Sequence, residues 1–522
     1  SLKENYGSVD IGKNSKLVVE HTSVNPNKAL HIGHLRNVVI GDAISRILSK
    51  VNYDVKVLNY IDDSGLQVAD LIVGFKFGGF SETPLAGEKF ADYCGDTVYV
   101  KTTAKYESDK ELESRRREIL KELEDPTSET AKFGKIITRK VLKDQLDTVW
   151  NLGASYDCLN FESQILHSKL WEKIFERMKS ENLVRLEDEG DNSGCWILPI
   201  ENEDDKILVR SNGVATYVAK DIPYAAWKLG ILDDPFNYVE YASQQNRSLH
   251  ETTLGKSMLT GLSFAADKVI TVIDNRQTNL QKIVTNLMSK FKPESSYVHL
   301  GYEAVTLSAE TANLLGNKTD GKDVQMSGRK GLYINADEII EKLEKRVYLE
   351  SKERNSSLDD ASLNEIAHDV AIGTIRYELI KPDLDKIITF DINTSLKLEG
   401  DTCSYIQYSC VRAARILEKS DKKPDFNASF DQLNTQHDLN LIKQIGMFEI
   451  FVNDAAKNYS PKVIAKYCYG LAVTFSSFYE HVKVLKAETP ELVNARLCLV
   501  LSFGLTLEKA LDLLGITVPQ RM

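Results

Sequence analysis

The sequence predicts an α/β protein: a Rossmann-like doubly wound parallel sheet carrying an insertion, followed by an all-α C-terminal domain. Three observations point there. First, a β-loop-α-β unit opens the chain. Leu17-Val18-Val19-Glu20-His21-Thr22 reads as a buried strand and Ser23 to Leu30 as a loop. Leu35, Val38, Val39, Ala43, Ile44, Ile47 and Leu48 then recur at helical period before the strand Val55-Lys56-Val57-Leu58-Asn59-Tyr60. Second, helix and strand patterns alternate again from Leu166 to Leu300. Lys206-Ile207-Leu208-Val209-Arg210 and Lys268-Val269-Ile270-Thr271-Val272-Ile273 read as strands of the second half of that sheet. Third, beyond Asn335 the pattern turns almost wholly helical.

With 522 residues the chain is too long for one core, and 42% hydrophobic with 27% charged residues is the balance of a soluble globular protein. No apolar stretch reads as a membrane span, and the N-terminus lacks the charged-then-apolar pattern of a signal peptide, so a cytoplasmic location is expected. The seven cysteines are scattered without a C-x-x-C pair, which argues against a disulfide framework, a structural zinc site or any other protein-held metal. A net charge of −11 weighs against a broadly basic nucleic-acid binder, although a local basic face on an acidic protein still binds RNA.

The expected boundaries are residues 1–73 for the first half of the sheet domain, 74–158 for an insertion, 159–300 for the second half, 301–389 for a Gly- and Lys-rich loop with a helical connection, and 390–522 for the helical domain. Within the insertion, Lys110-Glu111-Leu112-Glu113-Ser114-Arg115-Arg116-Arg117-Glu118 mixes acids with bases. It reads as a solvated helix rather than an RNA-binding arm.

The chemistry starts at His31-Ile32-Gly33-His34, where strand and loop give way to helix. Free backbone N–H groups and the positive helix end favour polyphosphate there. Two imidazoles can donate to phosphate oxygens whose charge grows during attack, and Gly33 lets the backbone approach a nucleotide. ATP is the ligand these features suggest. The plain alternatives are ordinary loop histidines, or zinc ligands without their partners.

Far downstream stands Gln325-Met326-Ser327-Gly328-Arg329-Lys330-Gly331. With the histidine motif it resembles the paired ATP motifs of class I aminoacyl-tRNA synthetases. Asn25-Pro26-Asn27-Lys28-Ala29-Leu30 before the histidines, Asn59-Tyr60-Ile61-Asp62-Asp63-Ser64-Gly65 and Ala215-Thr216-Tyr217-Val218-Ala219-Lys220-Asp221 resemble the arginyl-tRNA synthetase family in particular. So do Tyr405-Ile406-Gln407-Tyr408-Ser409-Cys410-Val411-Arg412 and the ending Pro519-Gln520-Arg521-Met522, all in consistent order.

The resemblance implies an enzyme that turns L-arginine and ATP into arginyl-adenylate and pyrophosphate, with magnesium on the nucleotide, then passes the arginyl group to the terminal adenosine of its tRNA. It implies tRNA-dependent activation, no editing domain, no membrane and a monomer; a catalytically impaired tRNA-binding or regulatory relative is the alternative. By resemblance Asp221 and Tyr217 take the guanidinium, and Ser23, Asn25 and Gln245, with Glu20 nearby, line the α-amino and carboxylate end. His31, Gly33 and His34 serve ATP with Gln325, Met326, Ser327 and Arg329, and His34 also reaches arginine.

The downstream motif departs from Lys-Met-Ser-Lys-Ser: Gln325 replaces the first lysine, Gly328 the second and Arg329 the last serine. Lys28 stands where members lacking that first lysine carry a compensating one, and Lys330 is a further cation. In the helical domain, implied to bind the anticodon, Tyr405, Gln407, Tyr408, Arg412 and Arg415 combine aromatics that stack bases with cations that meet phosphate. Family members commonly begin with a domain for the tRNA elbow. This sequence starts just before the catalytic strand, and Ser1 suggests a trimmed chain, the alternative being a gene without that domain.

Overall fold

A computed structural model describes residues 5–200, 204–245, 247–257, 259, 261–316, 323–325, 334–355 and 357–522, with backbone only for Tyr217, Val218 and Gln325. The chain enters through β1 (Lys16–Glu20), helix α1 (Ile32–Lys50) and β2 (Asp54–Ile61). After the helical insertion come β3 (Cys158–Phe161) and the short strands β4 (Arg185–Leu186), β5 (Trp196–Leu198) and β6 (Lys206–Val209). The hairpin β7 (Asn237–Ser243) and β8 (Ser248–Thr253) precedes β9 (Lys268–Asp274) and β10 (Ser296–Tyr302). Then follow β11 (Val305–Leu307), β12 (Val324–Gln325) and β13 (Ile388–Phe390).

The main sheet has seven strands in the order β10-β9-β1-β2-β3-β8-β7, with only the edge strand β7 antiparallel to its neighbour. Its central strands are apolar on both faces because both are covered. Leu17 and Val19 face one apolar cluster and Val18 the other, and Ile270 and Val272 alternate with Val269 in the same way. The expected strand at 206–210 is a strand, but it lies in a separate antiparallel sheet, β4-β5-β6. Lys206 and Ile207 remain partly exposed, an environment suited to a small edge-rich sheet and not to a doubly covered one.

The Lys110–Leu123 helix is solvated on one face, with Lys110–Glu113 and Arg115–Glu118 pairs, yet Arg116 turns inward to the buried Asp70 at 2.8 Å. Downstream, five long helices between Cys403 and Asp512 form a bundle. No boundary in the core divides it from the sheet domain: one apolar cluster runs from Leu17 and Ile44 through Ile375 to Phe475, Phe503 and Leu514. Arg376, fully buried, locks this junction by donating to Leu152 O, Leu514 O and Asp42. Gly515 permits it: its φ is +67°, and a Cβ there would lie 2.1 Å from an Arg376 nitrogen. Contrary to the sequence expectation, the Pro490–Asp512 helix is by length and composition apolar enough to cross a membrane, but 56% of its most apolar window is buried inside the fold.

Candidate active site

In an open parallel sheet ligands bind beyond the carboxyl ends of the strands, where the strand order reverses. Here that point lies between β1 and β9, and α1 begins beside it. The imidazoles of His31 and His34 stack with centroids 3.6 Å apart, and the His31 backbone N–H donates to His34 Nδ1 at 3.2 Å. Burial, reinforced by the Lys28 charge, pushes the His31 imidazole down to about 3, while burial and then His31 push His34 well below its ordinary value. Both rings are therefore neutral at pH 7, and each offers one N–H donor. A Cβ on Gly33 would stand 3.0 Å from the His31 ring, so a larger residue would press on it.

The loop between β1 and α1 is strained. Thr22 and Ser23 both have positive φ, 74° and 47°, and the β-branched Thr22 is a pronounced outlier. Such strain persists only where neighbours impose it. Asn37 Oδ1 accepts the Thr22 N–H at 2.5 Å, Asn59 Oδ1 accepts the Ser23 N–H at 3.0 Å, and the Thr22 hydroxyl meets Tyr156 OH at 2.7 Å. Gln145 Nε2, from the insertion, donates to Asn25 O at 3.1 Å and Lys28 O at 2.7 Å. Beside Lys28 the Asn27 amide is buried with neither oxygen nor nitrogen hydrogen-bonded among the described residues, which suits a site completed by a polar ligand.

Beyond the end of β1 lies a cluster of carboxyls. Asp221, on the Tyr217–Lys228 helix, accepts from Gln281 Nε2 at 3.2 Å, and Gln281 Oε1 is buried without a partner among the described residues. Burial, then Glu20, pushes the Asp221 carboxyl up to about 6. Burial also raises Asp62, whose neighbour Glu162 adds to the effect, and Glu162 holds Lys220 at 2.9 Å. Glu20 is paired with Lys228, itself 1% exposed, and accepts from Ser23 Oγ at 3.4 Å. Four carboxyls thus face the buried Lys228 and the exposed Lys220, and such an excess of acid is complementary to a cationic ligand.

The sequence expectations converge here only in part. Ser23 meets Glu20 and Glu20 faces Asp221; Asn25, Lys28, His31, Gly33 and His34 follow on the same loop and helix start, and the backbone of Tyr217 starts the Asp221 helix. Gln245 does not join them. It is exposed in the β7–β8 turn, at the opposite end of the sheet, where its neighbour Gln244 bonds Trp150 Nε1 and Tyr156 just before β3. Met326, Ser327, Arg329 and Lys330 lie outside the described residues; the Gln325 backbone pairs in β12 with Thr306. Glu162, Gln281 and Arg276 were missed. Arg276, held by Asp274 at 2.8 Å just past β9, adds its charge to those depressing His31. The position directly after a parallel strand at the reversal point is the signal that would have found it.

On the bundle, Tyr408 and Tyr479 flank Arg412, whose guanidinium lies 5.4 Å and 4.0 Å from their ring centres. Tyr479 and Arg415 are exposed, and Tyr405 packs edge-on against Tyr469 at 6.1 Å. Gln407 contradicts the expectation of an RNA contact. It is 0% exposed and donates to Asp369 O and Thr517 O, clipping the C-terminus to the Asp360–Ile380 helix. It falls on the core face of its helix, one position before the partly exposed Tyr408.

The described residues include no group of three or more His, Cys, Asp or Glu side chains placed to hold a metal ion. A parallel sheet whose reversal point carries a histidine-started helix, joined to a helical bundle, is the architecture of a class I aminoacyl-tRNA synthetase. Residues 2–257 match the family "tRNA synthetases class I (R), catalytic domain", and residues 406–522 match "DALR anticodon binding domain". The chain belongs to the arginine–tRNA ligase family. It is 34% identical to the arginine–tRNA ligase of Thermococcus sibiricus over 99% of this chain and 82% of that protein, and 34% identical to that of Thermus thermophilus over 97% and 82%. The arginyl-tRNA synthetase structure from Thermus thermophilus superposes with a TM-score of 0.84 at 32% identity, covering 97% of this chain and 83% of that one. That from Plasmodium falciparum, at 18% identity, covers 98% of this chain and 77% of that one with a TM-score of 0.72 and shares the fold.

Proposed function

We propose that the acidic cleft binds arginine by its guanidinium and the neutral histidine pair activates ATP, the carrying observation being the Asp221 carboxyl, bonded to Gln281 and facing Glu20, whose partner Ser23 opens the loop that leads to the stacked His31 and His34. Asp221 takes the guanidinium fork, with Tyr217, Glu162 and the unpaired Gln281 oxygen completing its acceptors. Ser23 and Asn25 orient the α-amino and carboxylate end, and Glu20, committed to Lys228, sets the shape and charge of that wall. An arginine carboxylate oxygen attacks the α-phosphorus, and the bond to pyrophosphate breaks. His31 and His34 donate neutral N–H bonds to the phosphate oxygens as charge builds, while Lys28 and Arg276 stabilise the departing pyrophosphate.

Magnesium accompanies ATP on its phosphates. The 2′ or 3′ hydroxyl of the terminal adenosine of tRNA then displaces AMP from the adenylate. Tyr405, Tyr408, Arg412, Arg415 and Tyr479 form the RNA-binding face. The enzyme works in the cytoplasm. Arginine-dependent exchange of pyrophosphate into ATP, with and without the matching tRNA, tests this: exchange driven equally by another amino acid would end it.

A further inference from the structure

The insertion approaches the nucleotide site through an unusual element. Tyr93–Tyr99 is a seven-residue π-helical turn, a rare conformation that widens a helix and recurs at functional sites. Tyr93, Cys94, Val98 and Tyr99 pack into a small apolar core with Leu71, Phe75 and Val141, and that core includes Ala29 of the loop before the histidines. The turn's fifth buried residue, Gly95, has no side chain to pack. A Cβ there would lie 2.6 Å from Lys28 Cβ and 3.5 Å from its Cα, so the stem of Lys28 rests on the glycine backbone.

The same segment holds the loop on either side of Lys28. Ala91 O accepts the Ala29 N–H at 3.2 Å, and Gln145 Nε2 donates to Lys28 O at 2.7 Å. Asp92 accepts from Asn335 Nδ2, and the Asn335 backbone bridges His31. Asp96, exposed on the turn, supplies the opposite charge: it favours the Lys28 ammonium while burial disfavours it.

We infer that this π-helical turn is a positioning device for the cation of the nucleotide site, with Gly95 as the seat of the Lys28 stem. It rests on the reading of Lys28 as the group that stabilises departing pyrophosphate. Neither Gly95 nor Asp96 touches substrate; both act through Lys28. A displacement of about 1 Å at a charge-stabilising group is enough to lower a rate on the order of a hundredfold, and an added methyl group at Gly95 has no other space to take.

The test is a double-mutant cycle on arginine-dependent pyrophosphate exchange in the presence of tRNA, using Gly95→Ala, Asp96→Asn, Lys28→Ala and the two pairs with Lys28→Ala. Gly95→Ala is expected to lower kcat roughly tenfold or more with little change in the KM for ATP. In the Lys28→Ala background, which keeps the Cβ contact but lacks the ammonium, the further loss should be several-fold smaller than in the parent. Asp96→Asn should give a smaller loss with the same coupling, and Asp96→Glu should recover most of it. Losses that multiply in the Lys28→Ala background overturn the inference while leaving Lys28 catalytic. An unchanged rate for Lys28→Ala alone overturns the underlying reading instead. Should Gly95→Ala fail to fold, the cycle through the surface residue Asp96 decides the question.

Discussion

The cleft at the ends of the strands and the tyrosine–arginine face of the bundle, the two surfaces proposed to meet charged partners, are built by opposite physics. In the cleft Asp221, Glu162, Glu20 and Lys228 are withdrawn from water, so each interaction is strong and each lost partner leaves a buried charge behind. On the bundle Arg412 lies between Tyr408 and Tyr479 near solvent, where contacts are weaker, screened by salt and close to additive. The same residue types would have different worth if exchanged between the two places. The difference teaches that selectivity for a small cation is concentrated in a few desolvated groups, whereas affinity for a polyanion is spread over a surface.

The largest effect should come from Asp221→Asn. It removes the charged half of the guanidinium pair, and kcat/KM for arginine should fall by an amount on the order of 2–5 kcal/mol. Thermal unfolding of the ligand-free variant should show no loss of stability, because a strained buried charge is removed with it. A cleft that binds arginine as well as before would erase the contrast between the regions. Next, His31→Ala and His34→Ala should each slow adenylate formation about a hundredfold while ATP affinity changes much less, since neutral donors act on charge that appears late. Single-turnover kinetics beside equilibrium ATP binding separates the two.

A pH effect should appear in the cleft alone. The Asp221 carboxyl is raised from 3.8 to about 6, so the native state holds this proton more tightly than the unfolded chain. The stability linked to it is fully present below about pH 4 and lost as pH rises through about 6. Arginine needs the ionised form, so calorimetric affinity should rise over that same interval, and Asp221→Asn should abolish the rise. On the bundle, Tyr408→Ala or Arg412→Ala should weaken tRNA binding by about 1–3 kcal/mol, with the salt slope reduced by roughly one for Arg412→Ala. Arginine-linked stabilisation of the free enzyme should be unchanged.

The smallest effect distinguishes position from residue type. Gln245→Ala should alter arginine use by less than about 0.5 kcal/mol. Gln407→Ala should lower the melting temperature yet leave the intrinsic tRNA affinity of folded protein intact. A large loss of arginine affinity from Gln245→Ala would require the cleft to extend across the sheet.

Much of the site was legible because its residues are local. His31, Gly33, His34, Lys28 and Ser23 share one loop, and Asp221 follows Tyr217 by one helical turn, so spacing alone carries their relation. Gln245 was misplaced for the opposite reason. A glutamine after a strand-like run is ambiguous until the strand's direction is known, and β7 runs antiparallel, which sends its end away from the cleft. Lys206–Val209 was recognisable as a strand, but not as a member of the small sheet, because pairing partners far along the chain are not written in period two.

Periodicity and motif order by themselves determined the layered architecture, the family and the loop proposed to meet ATP, since these follow from local patterns of side chains. The tertiary structure alone decided which ionisable groups share a dry pocket: Glu162 and Gln281 beside Asp221, Arg276 beside His31, and Gly95 beneath Lys28. It decided equally that Gln407 faces the core. Burial and charge proximity arise between segments distant in sequence, and the free energy of a charge depends on both.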